Sequence, residues 1–515
     1  MSEWPRNRTS KDDFSMTFLF RELKTLPLLA WCARIIPGRP TVEVWHGSWV
    51  EVRPDGFVEG AWDGMFSEFR FDEARTFAGT GAVTTNDGIM FVAGTDLQAR
   101  LFTTQQDGVI CVSNSLPFVM AGSGNRLSDR FGYYSGEFLY QCVLGIQRNR
   151  RSLPMHHGSV DCHKCVNLEI RPGRPPRLLK KRATSPPRNY AEHIETLNDA
   201  IGRTITNATD GTRIHPFEPV VTLSRGYDSV MVAAIASTRG CKEALTFVDP
   251  PRPDAPPVED GGTAIGEKLG MTVKEFDHFE FHQHGTPSEA EFCAYPPAID
   301  YPLATLEKKL KGRMLMTGSF GDCILSKYPG DAQPDFRQST FQGLCGSTMT
   351  EFRLRVGCIN FPPLFINGLH VEAVRRISCS EEMAPWSVGG RYDRPIARRC
   401  AVEAGVPSEW FGMRKYGSGW GLIKNVSELS AASQEDFRAY LASVENPSGP
   451  VHSRFSWRLV QVYMRLLRLF NMNTKKMKYI PRSMKRFTRP PLEDQLFRWG
   501  INRTMPRYDD AFKSD

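Results

Sequence analysis

Apolar and polar positions divide the chain into a strand-rich first part and an alternating second part. Between residues 41 and 172, short apolar segments are separated by turn residues such as Thr85-Asn86-Asp87-Gly88. The predicted strands are Thr41–Trp45, Phe66–Phe71, Ile89–Ala93, Gly108–Ser113 and Cys165–Ile170. This pattern predicts an α+β or all-β layered domain. Residues 1–40 precede it and are interpreted as an N-terminal extension.

Strands and helices alternate in the second part of the chain. Residues 173–190 are rich in proline and arginine, which predicts a linker before a domain spanning 191–450. The predicted strands are Val220–Leu223, Ala244–Val248, Thr272–Phe276 and Met314–Met316, and the predicted helices include Tyr190–Ala208, Asp260–Leu269 and Pro395–Ala404. Because strands alternate with helices, we expect an α/β domain with a parallel sheet.

The segment Ser224-Arg225-Gly226-Tyr227-Asp228-Ser229 joins an apolar strand to an apolar helix. Free N–H groups and the positive end of the helix dipole make such a turn suitable for an anion, and glycine lets the backbone approach it closely. Asp228 fits an anion site only if a cation is shared with the ligand, as in a magnesium-bridged phosphate. An ordinary strand-to-helix turn is the simpler alternative.

A second glycine-rich turn follows the strand at Met314–Met316. It reads Thr317-Gly318-Ser319-Phe320-Gly321-Asp322. Ligands of open parallel sheets bind at the carboxyl ends of strands, so the two turns are expected to face one ligand. Asp228 and Asp322 then each supply a carboxylate for Mg²⁺ bound to phosphate oxygens. The alternative is that both aspartates cap helices or turns.

These two turns resemble the motifs Ser-Gly-Gly-x-Asp-Ser and Ser-Gly-x-Gly-Asp-Glu of the asparagine synthetase family. Arg225 replaces a glycine of the first motif, and Cys323 replaces the glutamate of the second. The resemblance covers roughly residues 41–425 and implies a PP-loop (adenine nucleotide α-hydrolase-like) parallel-sheet domain with ATP and Mg²⁺ as cofactors. The implied ATP-binding residues are Leu223, Ser224, Arg225, Gly226, Asp228, Ser229, Val248, Thr317 and Gly318, with Asp228 and Asp322 as metal ligands and catalytic residues.

A third segment, Phe411 to Gly419, is similar to the family's lysine-bearing element, in which Lys415 matches best. The resemblance implies that Lys415 is catalytic and stabilises the charge that develops during reaction. Arg414 is the nearest competitor for that role, and a solvated loop lysine is the simpler alternative.

The resemblance also implies that residues 41–172 form a degenerate glutaminase-like (Ntn-type) domain. Glutamine-dependent members begin Met-Cys, whereas this chain begins Met1-Ser2-Glu3 and its first cysteine is Cys32. The family's N-terminal cysteine is both nucleophile and, through its α-amine, base. The predicted protein therefore does not hydrolyse glutamine through its own N-terminus, in which it resembles β-lactam synthetases and lasso-peptide macrolactam synthetases.

The function implied by these features is an ATP-dependent, AMP-forming ligase that adenylates a carboxylate and forms an amide or lactam. The substrates are expected to be small-molecule or peptide carboxylates and amines. Two alternatives stay open. One is a nucleotide-activating tRNA-modifying enzyme, and the other is a non-catalytic ATP-binding or partner-binding relative.

Composition narrows the class of protein. The 515-residue chain is 41% hydrophobic and contains no run of eighteen apolar residues, which predicts a globular, cytoplasmic protein without an integral membrane segment. Its twelve cysteines lack regular spacing and are expected to be free thiols.

Much of the net charge of +8 lies in residues 451–515, interpreted as a basic helical tail. An acidic partner, a carrier or a membrane surface would suit that tail, and nucleic acid is less favoured. Apolar residues at helical spacing favour docking of the tail onto the core.

Overall fold

Two sheets in the first part of the chain and one sheet in the second make this a mixed α/β protein. The computed structural model describes residues 16–129, 131, 134–143, 146, 152–248, 261–278, 280–283, 285, 289–294, 298–328, 346–412, 423, 425–444 and 491–513. None of the helices within those residues is both long and apolar enough to cross a membrane.

The strands of the described residues have the following bounds: β1 Thr17–Glu22, β2 Trp31–Ile35, β3 Thr41–His46, β4 Glu51–Arg53, β5 Gly56–Trp62, β6 Phe77–Thr85, β7 Gly88–Val92, β8 Leu101–Gln106, β9 Val109–Ser113, β10 Ser152–Pro154, β11 Ser159–His163, β12 Val166–Ile170, β13 Arg177–Lys180, β14 Glu218–Thr222, β15 Glu243–Val248, β16 Thr272–Asp277, β17 Arg313–Met316 and β18 Ile359–Phe361. The helices are α1 Leu116–Gly122, α2 Tyr134–Val143, α3 Tyr190–Ala208, α4 Tyr227–Thr238, α5 Thr263–Lys268, α6 Glu289–Ala294, α7 Glu307–Leu310, α8 Gly321–Ile324, α9 Thr350–Val356, α10 Val371–Ser378, α11 Pro395–Glu403, α12 Ala431–Ser443 and α13 Pro491–Asp509.

The first part of the chain is a two-layer sandwich. One sheet has the strand order β1-β3-β2-β9-β8-β11-β10, and the other has the order β13-β12-β7-β6-β5-β4. Alternate residues of both sheets point into a shared core. Trp31 of the first sheet contacts Phe57 of the second, with their ring centroids 4.9 Å apart. The predicted layered architecture is therefore present.

Two details of this region differ from the sequence predictions. The segment interpreted as an N-terminal extension contains β1 and β2, and β2 lies inside the first sheet between β3 and β9. Phe66–Phe71, predicted as a strand, instead holds a 3₁₀ turn at Phe66–Glu68, and Phe69 has a left-handed φ of 56°. Phe66, Phe69 and Phe71 all pack against Trp62. A strand would direct Phe66 and Phe69, three residues apart, to opposite faces, whereas the turn brings both to the same ring.

The second part of the chain is built on a five-stranded sheet with the order β16-β15-β14-β17-β18. All its neighbouring strands are parallel, as the alternation of strands and helices predicted. Helix α3 packs against α4 and β14, and also contacts β5 of the sandwich. The segment predicted as a linker contributes β13, which pairs with β12 at the edge of the six-stranded sheet.

Helix α13 joins the two parts of the molecule. Its Tyr508 stacks on Phe118 of α1, with the ring centroids 4.5 Å apart. The same helix also packs against α6, a short helix whose φ angles between 43° and 59° are left-handed. Gly500 allows this contact, because a Cβ there would lie 2.5 Å from the carbonyl carbon of Cys293. Non-glycine residues adopt this conformation at a cost, so packing against α13 stabilises α6.

A buried carboxyl group connects the sandwich, α9 and α13. Glu351 accepts hydrogen bonds from the hydroxyls of Ser115, at 3.0 Å, and Tyr508, at 3.2 Å. Burial, with a smaller contribution from the negative charge of Glu289, raises the pKa of Glu351 to about 8. The folded protein therefore holds a proton on Glu351 at pH values where the unfolded chain has released it.

Glu351→Gln is expected to become progressively more stable than the wild type as the pH rises. The folded pKa of Glu351 is raised, so its contribution to stability is complete at low pH and is lost as the pH rises toward about 8. Thermal unfolding measured from pH 5 to pH 9 tests this, with a difference in midpoint on the order of a few degrees at the upper end. Exposed Glu195→Gln is the control, and a gap between variant and wild type that does not change with pH would contradict the assignment.

Candidate functional site

The two glycine-rich turns lie side by side at one edge of the parallel sheet. Strand β14 pairs directly with β17, with Val221 opposite Met316. Each strand is followed by its turn and then by a helix, α4 in the first case and the short α8 in the second. Parallel strands present their carboxyl ends at the same edge, so both predicted motifs open on one side of the sheet.

Hydroxyl groups hold the first turn in shape. The backbone N–H of Gly226 donates to Ser224 Oγ at 3.1 Å, and the backbone N–H of Ser224 donates to Ser229 Oγ at 3.1 Å. The two hydroxyls also lie within hydrogen-bonding distance of each other, at 3.0 Å. Gly226 is the N-cap of α4, so the turn lies at the positive end of that helix.

The two turns are in direct contact through Asp228. A Cβ on Gly321 would lie 2.3 Å from the carboxyl carbon of Asp228, and a Cβ on Gly318 would lie 2.8 Å from the backbone nitrogen of Ser229. Neither position has room for a side chain, which explains both glycines of the second turn. Asp228 and the turn that ends in Asp322 therefore form one surface.

Residues 387–394, which no sequence motif indicated, form a third side of this surface. The Tyr392 hydroxyl lies 3.4 Å from the backbone nitrogen of Tyr227. Arg394 is buried, donates to the backbone oxygen of Asp322 at 3.2 Å, and lies 3.8 Å from its carboxylate. The pair Gly389-Gly390, in which both φ angles are positive, was the one available signal of a special loop.

Arg225, the position where the first turn departs from the family motif, connects the turn to residues 410–412. Its Nε donates to the backbone oxygen of Trp410 at 2.9 Å, and its own carbonyl accepts from the backbone N–H of Gly412 at 2.8 Å. Gly412 has a φ of 72°, and a Cβ there would lie 2.2 Å from Tyr227 Cζ. The side chain of Arg225 therefore connects the first turn to Trp410 through a hydrogen bond that glycine could not make.

Arg225→Gly, which restores the family residue, is expected to destabilise the protein. The change removes the bond to Trp410, worth about 0.5–1.5 kcal/mol, and adds the backbone freedom of glycine, worth roughly 0.5–1 kcal/mol. Urea unfolding measures the loss, and Arg239→Gly at the far end of α4 is the control because its bond to Asn198 is exposed. Equal losses in the free energy of unfolding of both variants would show that the bond to Trp410 stabilises the protein no more than an exposed hydrogen bond does.

Of the remaining predicted ATP-binding residues, Thr317 follows β17 and donates its backbone N–H to the carbonyl of Phe361 at 3.2 Å, while Leu223 and Val248 lie beside the first turn on the side of β15. Leu223 donates its backbone N–H to the carbonyl of Leu245 and packs against Gly262, where a Cβ would lie 2.5 Å from Leu223 Cγ. Ser224 forms an isolated bridge with Gly261. Val248 ends β15. The turn is thus enclosed between the residues that follow β15 and those that follow β17.

Lys415, the predicted catalytic lysine, and Arg414, its nearest alternative, fall outside the described residues. Within the described part of the chain, no group of three or more His, Cys, Asp or Glu side chains is placed to hold a metal ion. A Mg²⁺ ion bound through one or two carboxylates and completed by phosphate oxygens and water does not need such a group. Cys323 is half-buried beside Asp322.

No family model matches the chain, and no curated protein shows significant sequence similarity to it. The geometry of the two turns and the chemistry of their side chains are therefore the basis for a functional proposal.

The first cysteine of the chain is not placed to act as a nucleophile. Cys32 is fully buried in β2, which pairs with a strand on each side. Burial, together with the nearby Cys111, raises its pKa well above the ordinary value. Reactive cysteines need the opposite environment, one that is accessible and favours the thiolate. The other cysteines of the described residues are also free thiols.

Proposed function

We propose that the protein is an ATP-dependent, AMP-forming ligase that adenylates a carboxylate and then forms an amide or lactam. The observation that carries the proposal is the contact between the two turns. The glycines of the second turn pack on Asp228 of the first, at the carboxyl ends of adjacent parallel strands. Two motifs that are about ninety residues apart in sequence thus form one surface at the position where open parallel sheets bind their ligands, which supports the proposal.

The charges of this surface suit a magnesium-bound triphosphate. The first turn presents the N-terminus of α4, which favours phosphate oxygens. Asp228 and Asp322 are the residues that would hold Mg²⁺, because Asp228 packs against Gly321, which directly precedes Asp322. A bound Mg²⁺ ion would neutralise charge on the phosphates. Arg394 adds a fixed positive charge beside Asp322.

The PP-loop assignment of the domain belongs to the same proposal. It is supported by the parallel sheet and by the order of the two turns along the chain. The sandwich would then be a glutaminase-like layer without a working nucleophile, because the thiol of Cys32 is buried within a strand. The amine would come from free ammonia, from a second substrate or from within the same molecule.

ATP–pyrophosphate exchange tests this function. The purified chain is incubated with ATP, Mg²⁺ and labelled pyrophosphate across a panel of amino acids and peptides that carry free carboxylates. Exchange that requires one class of carboxylate supports adenylation, and the responding class identifies the acyl substrate. ATP binding without exchange by any member of the panel would contradict the ligase, and failure to bind ATP would contradict the nucleotide site itself.

A further inference from the structure

Tyr392 contacts the backbone of the first turn, although it belongs to neither glycine-rich motif. Its hydroxyl is 3.4 Å from the backbone nitrogen of Tyr227, and a Cβ on Gly226 would lie 3.5 Å from the same hydroxyl. Its ring packs against the ring of Tyr227, with centroids 5.0 Å apart. The phenol thus faces the backbone groups that would hold a phosphate.

The backbone around Tyr392 is held firmly in place. The next residue, Asp393, accepts hydrogen bonds from the Ser387 hydroxyl and from Lys327 Nζ, the latter at 3.2 Å. Burial alone would raise the pKa of Asp393, but these hydrogen bonds outweigh it and hold the pKa below the usual value. Arg394 then donates to the backbone oxygen of Asp393 at 3.1 Å and to that of Asp322. Because the next two residues, Asp393 and Arg394, are held by these contacts, the backbone of Tyr392 has little freedom to move away from the site.

The Tyr392 hydroxyl is suited to donate a hydrogen bond to an anion. An ordinary tyrosine phenol has a pKa of about 10, so the hydroxyl carries its proton at neutral pH. The hydroxyl accepts from Tyr227 N–H, which leaves its own proton to be directed toward a ligand oxygen.

We infer that Tyr392 is a phosphate-contacting residue whose hydroxyl donates a hydrogen bond to an oxygen of the ATP phosphate chain held in the first turn. This inference rests on the proposed ATP site and adds a third segment, residues 387–394, to it. The opposite role would be a competitor that occupies the phosphate position until the ligand displaces it. The anchors at Asp393 and Arg394 favour the donor, because a competitor would have to move away.

Tyr392→Phe distinguishes these roles. Binding of ATP with Mg²⁺ and of adenosine alone is measured by isothermal titration calorimetry for the wild type and the variant. Loss of a hydrogen bond to a charged oxygen is expected to weaken ATP binding about tenfold or more, while adenosine binding stays unchanged because adenosine has no phosphate. Tyr328→Phe is the matched control, since that hydroxyl donates to the Gly390 carbonyl of the same loop at 2.6 Å.

Each other outcome is decisive. Tighter ATP binding by Tyr392→Phe would show that the hydroxyl competes with phosphate and would overturn the inference. Unchanged ATP binding, or equal weakening of ATP and adenosine, would also overturn it while leaving the proposed ATP site standing. A wild-type protein that binds neither ligand would overturn both the inference and the proposed function.

Discussion

Asp228→Asn and Asp322→Asn are each expected to reduce ATP–pyrophosphate exchange by at least about 10²-fold, the loss typical when one stabiliser of transition-state charge is removed. Both carboxylates lie where the two turns meet, and an amide cannot supply the negative oxygen that Mg²⁺ prefers. The change keeps the size of the side chain, so the packing of Gly321 against residue 228 is retained. Exchange is measured at saturating Mg²⁺ with the carboxylate that gives the strongest wild-type signal.

The control for these variants is Asp199→Asn on α3, where the side chain is 66% exposed. It makes the same chemical change away from both turns and from the predicted ATP-binding residues, and we expect near wild-type exchange. Thermal midpoints close to that of the wild type for all three variants would show that the losses are local. Exchange that persists in Asp228→Asn would refute the assignment of the metal ligands.

Breaking the ion pair between Glu59 and Arg353 is expected to cost about 3–5 kcal/mol, the usual penalty for leaving a buried charge without its partner. The pair is bidentate, with distances of 2.7 and 2.9 Å, and the side chains are 0% and 5% exposed. It joins β5 of the sandwich to α9 of the second part of the chain. Glu59→Gln therefore leaves the guanidinium of Arg353 buried without its bidentate carboxylate partner.

Two companion variants identify the cause of this loss. Glu59→Gln combined with Arg353→Met removes both charges and should recover part of the stability, because the unpaired charge is the main cost. Glu192→Gln breaks the exposed pair with Arg188 and should cost less than about 1 kcal/mol. Urea unfolding curves of the four proteins measure the differences. A Glu59→Gln curve that overlays the Glu192→Gln curve would show that the buried pair does not stabilise the interface.

The sequence predicted those parts of the fold in which local pattern and tertiary structure agree. The strand predicted at Ala244–Val248 differs by one residue from β15, and the helix predicted at Tyr190–Ala208 has the same bounds as α3. Continuous apolar strands bounded by glycine and proline are the pattern of a parallel sheet buried on both faces. The wrong strand at Phe66–Phe71 shows the limit, because its aromatic residues serve a cluster around Trp62.

The candidate site was predictable only where a motif lies within a few residues of sequence. Asp228 and Asp322 belong to recognisable turns, and the structure places those turns together. Tyr392 and Arg394 follow Asp322 by about seventy residues. Only the folded chain brings Tyr392 to the first turn and Arg394 to Asp322 of the second, so local sequence spacing could not predict these contacts. Arg225 illustrates the same limit, since its partner at Trp410 is 185 residues away.

The contact between α13 and the sandwich also sets an order of events during synthesis. Arg498 of α13 donates to the carbonyl of Ser128, a residue made 370 positions earlier. At ribosomal speeds of about 5–20 residues per second, the apolar faces of α1 and α2 stay uncovered for roughly 20–70 s until α13 has been synthesised. During translation the sandwich therefore presents an unfinished apolar surface for many seconds, which is the kind of surface that chaperones bind.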